Sequence, residues 1–314
     1  LIIITSLGLR AQGSYSPAVG KPGCDAIFMD SSIIKSWANH CTLQRGYINI
    51  LDKSLGYTSV GDATKPIGKA DNFVVSLGDS GVATVQFNGL LFNGPGPDFA
   101  VYENAFDDYF LELAFVEVSS DGVNFVRFPS DSETDTALQV NSFDSLDASQ
   151  LNNLAGKYRY GYGVPFDLED LVGIPGIDLE KISHIRIVDV VGSLNPTVST
   201  RDSKERKVND PFPTPFNSGG FDLDAVAAIH IVPNSIQKSK IKTIGVFPNP
   251  TKGIINFSEN FIGKQLKVFT LDGRLIFSKK IKESRLNLSA LNPSIYQLLI
   301  FSDNKVYTAK IKVE

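Results

Sequence analysis

Carboxylates carry most of the chemistry open to this chain. In "GGFDLDAVAAIHI" (219–231), Asp222 and Asp224 alternate with apolar residues. Side chains two apart on a pleated strand point the same way, about 7 Å from each other. The segment before them, "DPFPTPF" (210–216), is stiffened by three prolines and offers backbone carbonyls. Carboxylates with carbonyls are the oxygen-rich set that Ca²⁺ takes. In "DFAVYEN", Asp98 and Glu103 bracket a further strand pattern. Asp222, Asp224, Asp98 and Glu103 are therefore the candidate calcium ligands. The competing reading is that the prolines and aspartates only shape the loop. Glu117 in "LAFVEV" and Asp189 in "IRIVDVV" lie on apolar faces, where a carboxylate is costly unless paired. Arg127 and Arg186 are the partners within reach of the pattern.

Aromatic residues gather in segments that read as loops. "KYRYGYGVPF" carries Tyr158, Tyr160 and Tyr162, and "DPFPTPF" carries Phe212 and Phe216. Exposed, such rings stack on sugars or flat ligands; buried, they pin loops to a scaffold. These five are the candidate ligand-binding residues. Enzyme motifs are missing: there is no G-x-S-x-G, no H-E-x-x-H and no P-loop. "ANHC" and "GDSG" look like protease boxes, but His40 and Ser80 are too close in sequence to hold a barrel and its aspartate between them. No catalytic residue is assigned.

The elements that must position these groups are strands. "NFVVSL", "VATVQF", "DFAVYEN", "LAFVEVSS", "HIRIVDVV" and "LDAVAAIHI" alternate at period two. Asp121-Gly122, Asp272-Gly273 and Asp303-Asn304 mark hairpin turns. One helix is expected over Ser31–Ala38, "SSIIKSWA", capped by Ser31 or Asp30. Strands without a βαβ rhythm imply an all-β chain built of sandwiches.

Charge divides the chain in two. Residues 238–314 hold 14 Lys/Arg against 5 Asp/Glu, leaving 16 against 29 before them. An acidic first part disfavours nucleic acid, which needs a basic footprint. "LIIITSLG" (1–8) is too short to span a bilayer. With "LRAQG" after it, residues 1–11 read as the end of a signal peptide cleaved after Ala11. No transmembrane segment is expected. Export would permit a Cys24–Cys41 disulfide.

Two resemblances complete the division. "VFPNPTKGIINF", "LKVFTLDGRLI", "LSALNPSIYQLLIFSDN" and the terminal "AKIKVE" together resemble the C-terminal sorting domain of type IX secretion cargo. Ser294-Ile295 stands where that family usually has glycine just before the tyrosine, here Tyr296. The resemblance implies contact with the type IX secretion machinery. It further implies passage through the periplasm, and residence at the outer-membrane surface or outside the cell. "NGPGPDFAVYENAF", "ELAFVEVSSDGVNFVRFP", "LNNLAGKYRYGYGVPFDLEDL" and "NDPFPTPFNSGGFDLDAV" resemble an uncharacterised family of bacterial cell-surface proteins over about 15–232. "FVEVSSDGVNF" is also similar to discoidin-like, galactose-binding jelly rolls. The expected plan is a jelly-roll-like β-sandwich at 12–233, a linker at 234–241, and a small immunoglobulin-like sorting domain at 242–314. The expected function is non-enzymatic binding of a carbohydrate or surface polymer. Alternatives are capture of a small nutrient such as a corrinoid, and a glycoside hydrolase using a carboxylate pair such as Glu103 and Asp224.

Overall fold

The computed structural model describes residues 14–233, 240–302 and 305–314. The expectations on the signal peptide, on 234–239 and on the Asp303-Asn304 turn fall outside these residues. Two compact units divide the chain, 1–233 and 234–314.

The first unit is a sandwich of two antiparallel sheets. One sheet runs Ile27–Phe28, Tyr162–Phe166, Phe99–Glu103, Asp222–Ala228, Ser36–Trp37, and Val75–Ser76 also pairs with Asp222–Ala228. The other runs Leu154–Ala155, Ala114–Ser119, His184–Asp189, Val82–Gln86, His40–Gln44. Most successive strands alternate between the sheets, so the pairings interleave as in a double Greek key. This is a jelly roll. Phe99, Val101, Phe115, Ile185, Ile187 and Val226 meet between the sheets.

A second, smaller core lies on the outer face of the first sheet. There Ala100, Tyr102, Ala225, Ala227 and Ile229 pack with Ile27 and Ala70, and Met29, Ile34 and Trp37 close over them. Burial on both faces is why Phe99–Glu103 is buried throughout. It also overturns the expected helix. In "SSIIKSWA", Ser36–Trp37 pairs with Ala227–Ala228, and Ile34 and Trp37 lie on the sheet. Covering that face outweighs local helix propensity.

The strand at Asp222–Ala228 departs from simple alternation. Leu223 faces Glu103 but Ala225 faces Tyr102, so Asp224 is the extra residue of a bulge. A bulge shifts the side-chain alternation by one. Phe221 and Leu223 enter the inter-sheet core, Val226 and Ala228 continue it, and Ala225, Ala227 and Ile229 turn outward. The apolar face read from the sequence as continuous is thus two faces joined at Asp224.

Cys24 and Cys41 are free thiols, correcting the expected disulfide. Cys41 is buried in the core, and burial pushes its thiol up to about 11.

The second unit is a smaller sandwich. Its five-stranded sheet runs Lys240–Thr243, Lys305–Val313, Ser294–Ser302, Gln265–Thr270, Leu275–Lys280. Its three-stranded sheet runs Val246–Phe247, Ile254–Phe257, Arg285–Asn287. The first strand begins at Lys240, inside the stretch read as linker. Ile255, Phe257, Leu266, Val268, Leu298 and Ile311 form its core. Ser294 opens a strand, and the Tyr296 hydroxyl donates to the Asn292 carbonyl at 2.9 Å.

Candidate functional site

One end of the jelly roll collects carboxylates from both sheets. Phe99–Glu103 leaves there with Glu103. Asp222–Ala228 enters there, its Leu223 in register with Glu103. Glu112 precedes the strand Ala114–Ser119, and Asp189 ends the strand paired with it. Asp79 lies just before Val82–Gln86, and Asp210 opens the proline loop.

Several of these groups build the frame. Asp189 accepts the Phe221 N–H at 2.7 Å on one oxygen and the Ser80 N–H at 3.1 Å on the other. It thereby fastens two loops. Gly220, between them and the proline loop, has φ +72°, and a Cβ there would meet Asp189 Oδ1 at 2.6 Å and Gly78 Cα at 3.0 Å. That close approach explains the second glycine of "SGGFD". Asp79 accepts the Ile50 N–H at 2.7 Å. Asp210 accepts the Leu113 N–H at 3.3 Å on Oδ2, while its Oδ1 is buried without a partner.

Three carboxylates line a cleft of about 190 Å³: Glu103, Glu112 and Asp222. Glu103 uses one oxygen to accept the Ala105 N–H at 2.9 Å. Asp222 Oδ1 is buried without a partner. Glu112 is only 8% exposed, and among the described residues none donates to it. No Lys or Arg forms an ion pair with Asp79, Glu103, Glu112, Asp189, Asp210 or Asp222 among the described residues. Arg45, whose charge reaches Asp222, spends its guanidinium on the carbonyls of Val60 (2.8 Å), Ser76 (2.7 Å) and Gly61 (2.5 Å). Burial pushes the Asp222 carboxyl up to about 7, with the Ser76 hydroxyl and Arg45 pulling it back. Burial also pushes Glu103 and Glu112 well above the carboxylate range, and the charge of Asp222 adds to both.

Phenylalanines wall the same cleft: Phe106, Phe110, Phe143 and Phe216. They stand in a row. Ring centroids are 5.0 Å apart from Phe106 to Phe110, 6.1 Å to Phe143 and 5.9 Å to Phe216. The first three are stacked. Phe106 and Phe143 are 77% and 75% exposed and Phe216 is 44% exposed, so the row faces solvent. A wider groove of about 830 Å³, past Lys21, Tyr109, Thr134 and Asp147, has none of these unpartnered carboxylates. Its Asp147 is committed to capping the Ser149 N–H.

The residues expected from sequence are dispersed. Of the four calcium candidates only Glu103 and Asp222 share the cleft. Asp98 starts the strand that Glu103 ends, five residues or about 17 Å away. It accepts the N–H groups of Gly94 (2.8 Å) and Leu168 (2.7 Å) and meets His230 Nδ1 at 2.7 Å. Asp224 is turned aside by the bulge and accepts the N–H groups of Asp71 (3.1 Å) and Asn72 (3.2 Å). Among the described residues no three His, Cys, Asp or Glu side chains converge closely enough to hold a metal ion. Glu117 is paired as expected, with Arg127 at 2.8 Å and with Arg186. Asp189 found backbone N–H groups rather than arginine.

The aromatic candidates divide likewise. Tyr158 is buried, its hydroxyl donating to Asp25 and meeting the Ser16 hydroxyl at 2.8 Å; it pins the N-terminal segment rather than offering a face. Phe212 is buried. Tyr162 is half-buried against Phe28 at 5.2 Å. Tyr160 is half-buried, its N–H donating to the Ala105 carbonyl at 2.7 Å. Phe216 alone of the five lines the cleft. Sequence reasoning missed Phe106, Phe110, Phe143, Glu112 and Asp210. The signal available was "AFDDYF", two phenylalanines flanking paired acids in a segment with no strand alternation.

The ulvan lyase NLR42 of Nonlabens ulvanivorans is 31% identical over 84 residues, and the alignment covers 25% of this chain and 16% of that protein. The chain thus spans under a fifth of this curated relative. The type IX secretion component PorZ of Porphyromonas gingivalis shares 15% identity at a TM-score of 0.21, over 29% of this chain and 14% of its own. A β-glucuronidase of Ruminococcus gnavus shares 13% identity at a TM-score of 0.22, over 89% and 44%. Such scores carry no weight for fold or chemistry. No described helix is long and apolar enough to cross a membrane. Residues 245–314 match the secretion system C-terminal sorting domain family: the second unit is a type IX sorting domain, and the protein is exported to the cell surface or the extracellular space.

Proposed function

We propose that the first unit is a non-enzymatic carbohydrate-binding module displayed outside the cell, with its site at the carboxylate-lined end of the jelly roll. One observation carries this reading: a solvent-facing row of four phenylalanines borders a cleft whose acceptors are not consumed by the protein. A sugar presents apolar C–H faces to aromatic rings and donates hydroxyls to carboxylates, so it uses both features together. Loops on a rigid sandwich are the usual place for such a surface. Titrating the wild-type protein and Phe143→Ala against a polysaccharide panel, with a corrinoid alongside, tests it. The expected result is glycan binding that falls at least tenfold in the variant, with an unchanged melting temperature. Undiminished glycan binding by the variant, or binding of the corrinoid alone, rejects it.

A second reading is favoured by the raised carboxyls. A carboxylic acid that keeps its proton near neutrality, beside one that ionises, is the equipment of glycoside hydrolysis. Reducing-sugar release from the bound polysaccharide, abolished by Glu103→Gln, would establish that reading and displace the non-enzymatic one.

A further inference from the structure

We infer that the ligand carries a primary ammonium group, as an unacetylated amino sugar does, and that the cleft seats this group among Glu103, Glu112 and Asp222. This rests on the carbohydrate reading and narrows it to a chemical class.

The cleft is a place for a cation that the protein itself does not fill. Glu112 is over nine-tenths buried, lines the cleft and accepts no hydrogen bond from any described residue. Asp222 Oδ1 is likewise buried and unpartnered. Glu103 is the most committed of the three, its carboxyl met by the backbone N–H groups of Ala105 and Asn104. Behind them Asp210 Oδ1 is a fourth buried acceptor without a donor. Such acceptors are costly to leave unmade; burial holds the proton on Glu103 and Glu112, and a cation seated beside them would favour the charged form and release it.

The form of that partner follows from the walls. A metal ion needs oxygens converging on one point, and no such convergence exists among the described residues. An ammonium group is held by as few as one or two such oxygens, with water taking its remaining N–H donors. Phe106, Phe110, Phe143 and Phe216 stand beside them, and aromatic faces attract a cation through the ring quadrupole. A metal draws little from such walls; an organic ammonium, apolar on one side and charged on the other, uses both. The volume of about 190 Å³ admits the amino-bearing edge of one ring. The rest of the sugar chain would lie along the exposed phenylalanines.

The test is calorimetric titration of the full chain at neutral pH with a glucosamine tetramer and with its fully N-acetylated counterpart. The ring is the same in each; acetylation removes the charge and adds bulk, and the Glu112→Gln variant, which changes only the protein's charge, separates the two effects. The expected result is at least tenfold tighter binding of the amine form, and a ratio falling to within twofold of unity in Glu112→Gln. Glutamine is isosteric there and breaks no hydrogen bond; should that variant fold poorly, Asp222→Asn provides the same readout. Equal or tighter binding of the acetylated form overturns the ammonium assignment while leaving the carbohydrate reading intact. So does loss of the preference in millimolar CaCl₂ with its return in chelator, which would make the cluster a metal site. Failure of both tetramers and of every glycan in the panel overturns the two readings together.

Discussion

Replacing Asp222 with asparagine should stabilise the first unit, by an amount that grows with pH. An aspartate in an unfolded chain titrates near 3.8–3.9, whereas burial holds Asp222 at about 7 in the native state. The native form therefore keeps its proton to higher pH than the unfolded chain does. The contribution of this group is full below about pH 4 and is lost as pH rises through 7. A gap of about three pK units corresponds to about 4 kcal/mol, and local water entry trims this to about 2–4 kcal/mol. The asparagine side chain would not titrate, and its carbonyl oxygen can still accept from the Ser76 hydroxyl that Asp222 faces. Wild type and variant should melt together at pH 4 and separate above pH 5. Above pH 8 the variant should lead by about 4–16 °C, taking about 2–4 °C per kcal/mol for a unit of this size. Differential scanning calorimetry from pH 4 to 9 measures this directly. A difference independent of pH, or a wild type more stable at pH 8, would refute the reasoning.

Gly220→Ala should destabilise the same unit by about 1–3 kcal/mol, because φ is +72° and the new methyl would meet Asp189 and Gly78; urea unfolding measures it, and an unchanged midpoint would deny the close approach. Tyr158→Ala should cost about 3–5 kcal/mol, since the ring is buried, whereas a loss under 1 kcal/mol would mean that the ring stands open to solvent. Iodoacetamide should label native Cys24 well before Cys41, the latter being buried with its thiol raised to about 11; reducing agent should leave the melting temperature unmoved, and a downward shift would reveal a disulfide. Deleting 245–314 should leave the first unit folded by circular dichroism but retained in the periplasm, and surface display of the truncated chain would contradict the role of the sorting domain.

The jelly roll was legible in outline because its strands alternate apolar and polar residues, and alternation reports which residues share a side. It does not report what covers each side. The outer face of the first sheet is roofed by Met29, Ile34 and Trp37, so a helix-like apolar spacing at 31–38 was in truth the lid of a second core. Nor does alternation foresee an inserted residue: the bulge at Asp224 parted it from Asp222, although the sequence spacing put the two carboxylates together. The acidic strand entrance was readable, since Asp222 and Asp224 stand out at the head of an otherwise apolar strand. The phenylalanine row was not, because Phe106, Phe143 and Phe216 come from separate loops without periodicity, and only the fold aligns them.

The way the cleft loops are fastened bears on how such a module could change its target. Asp189 holds them through the N–H groups of Ser80 and Phe221, and Glu103 anchors the next loop through the N–H of Ala105. Every residue except proline supplies that donor. The moorings consequently read the backbone and are blind to the side chains beyond it. Positions such as 106, 110, 143 and 216 could be exchanged by mutation while the moorings stay in place. A library randomised at those four sites should therefore yield mostly folded proteins with altered ligand preference, making this end of the sandwich a graftable surface on a constant frame.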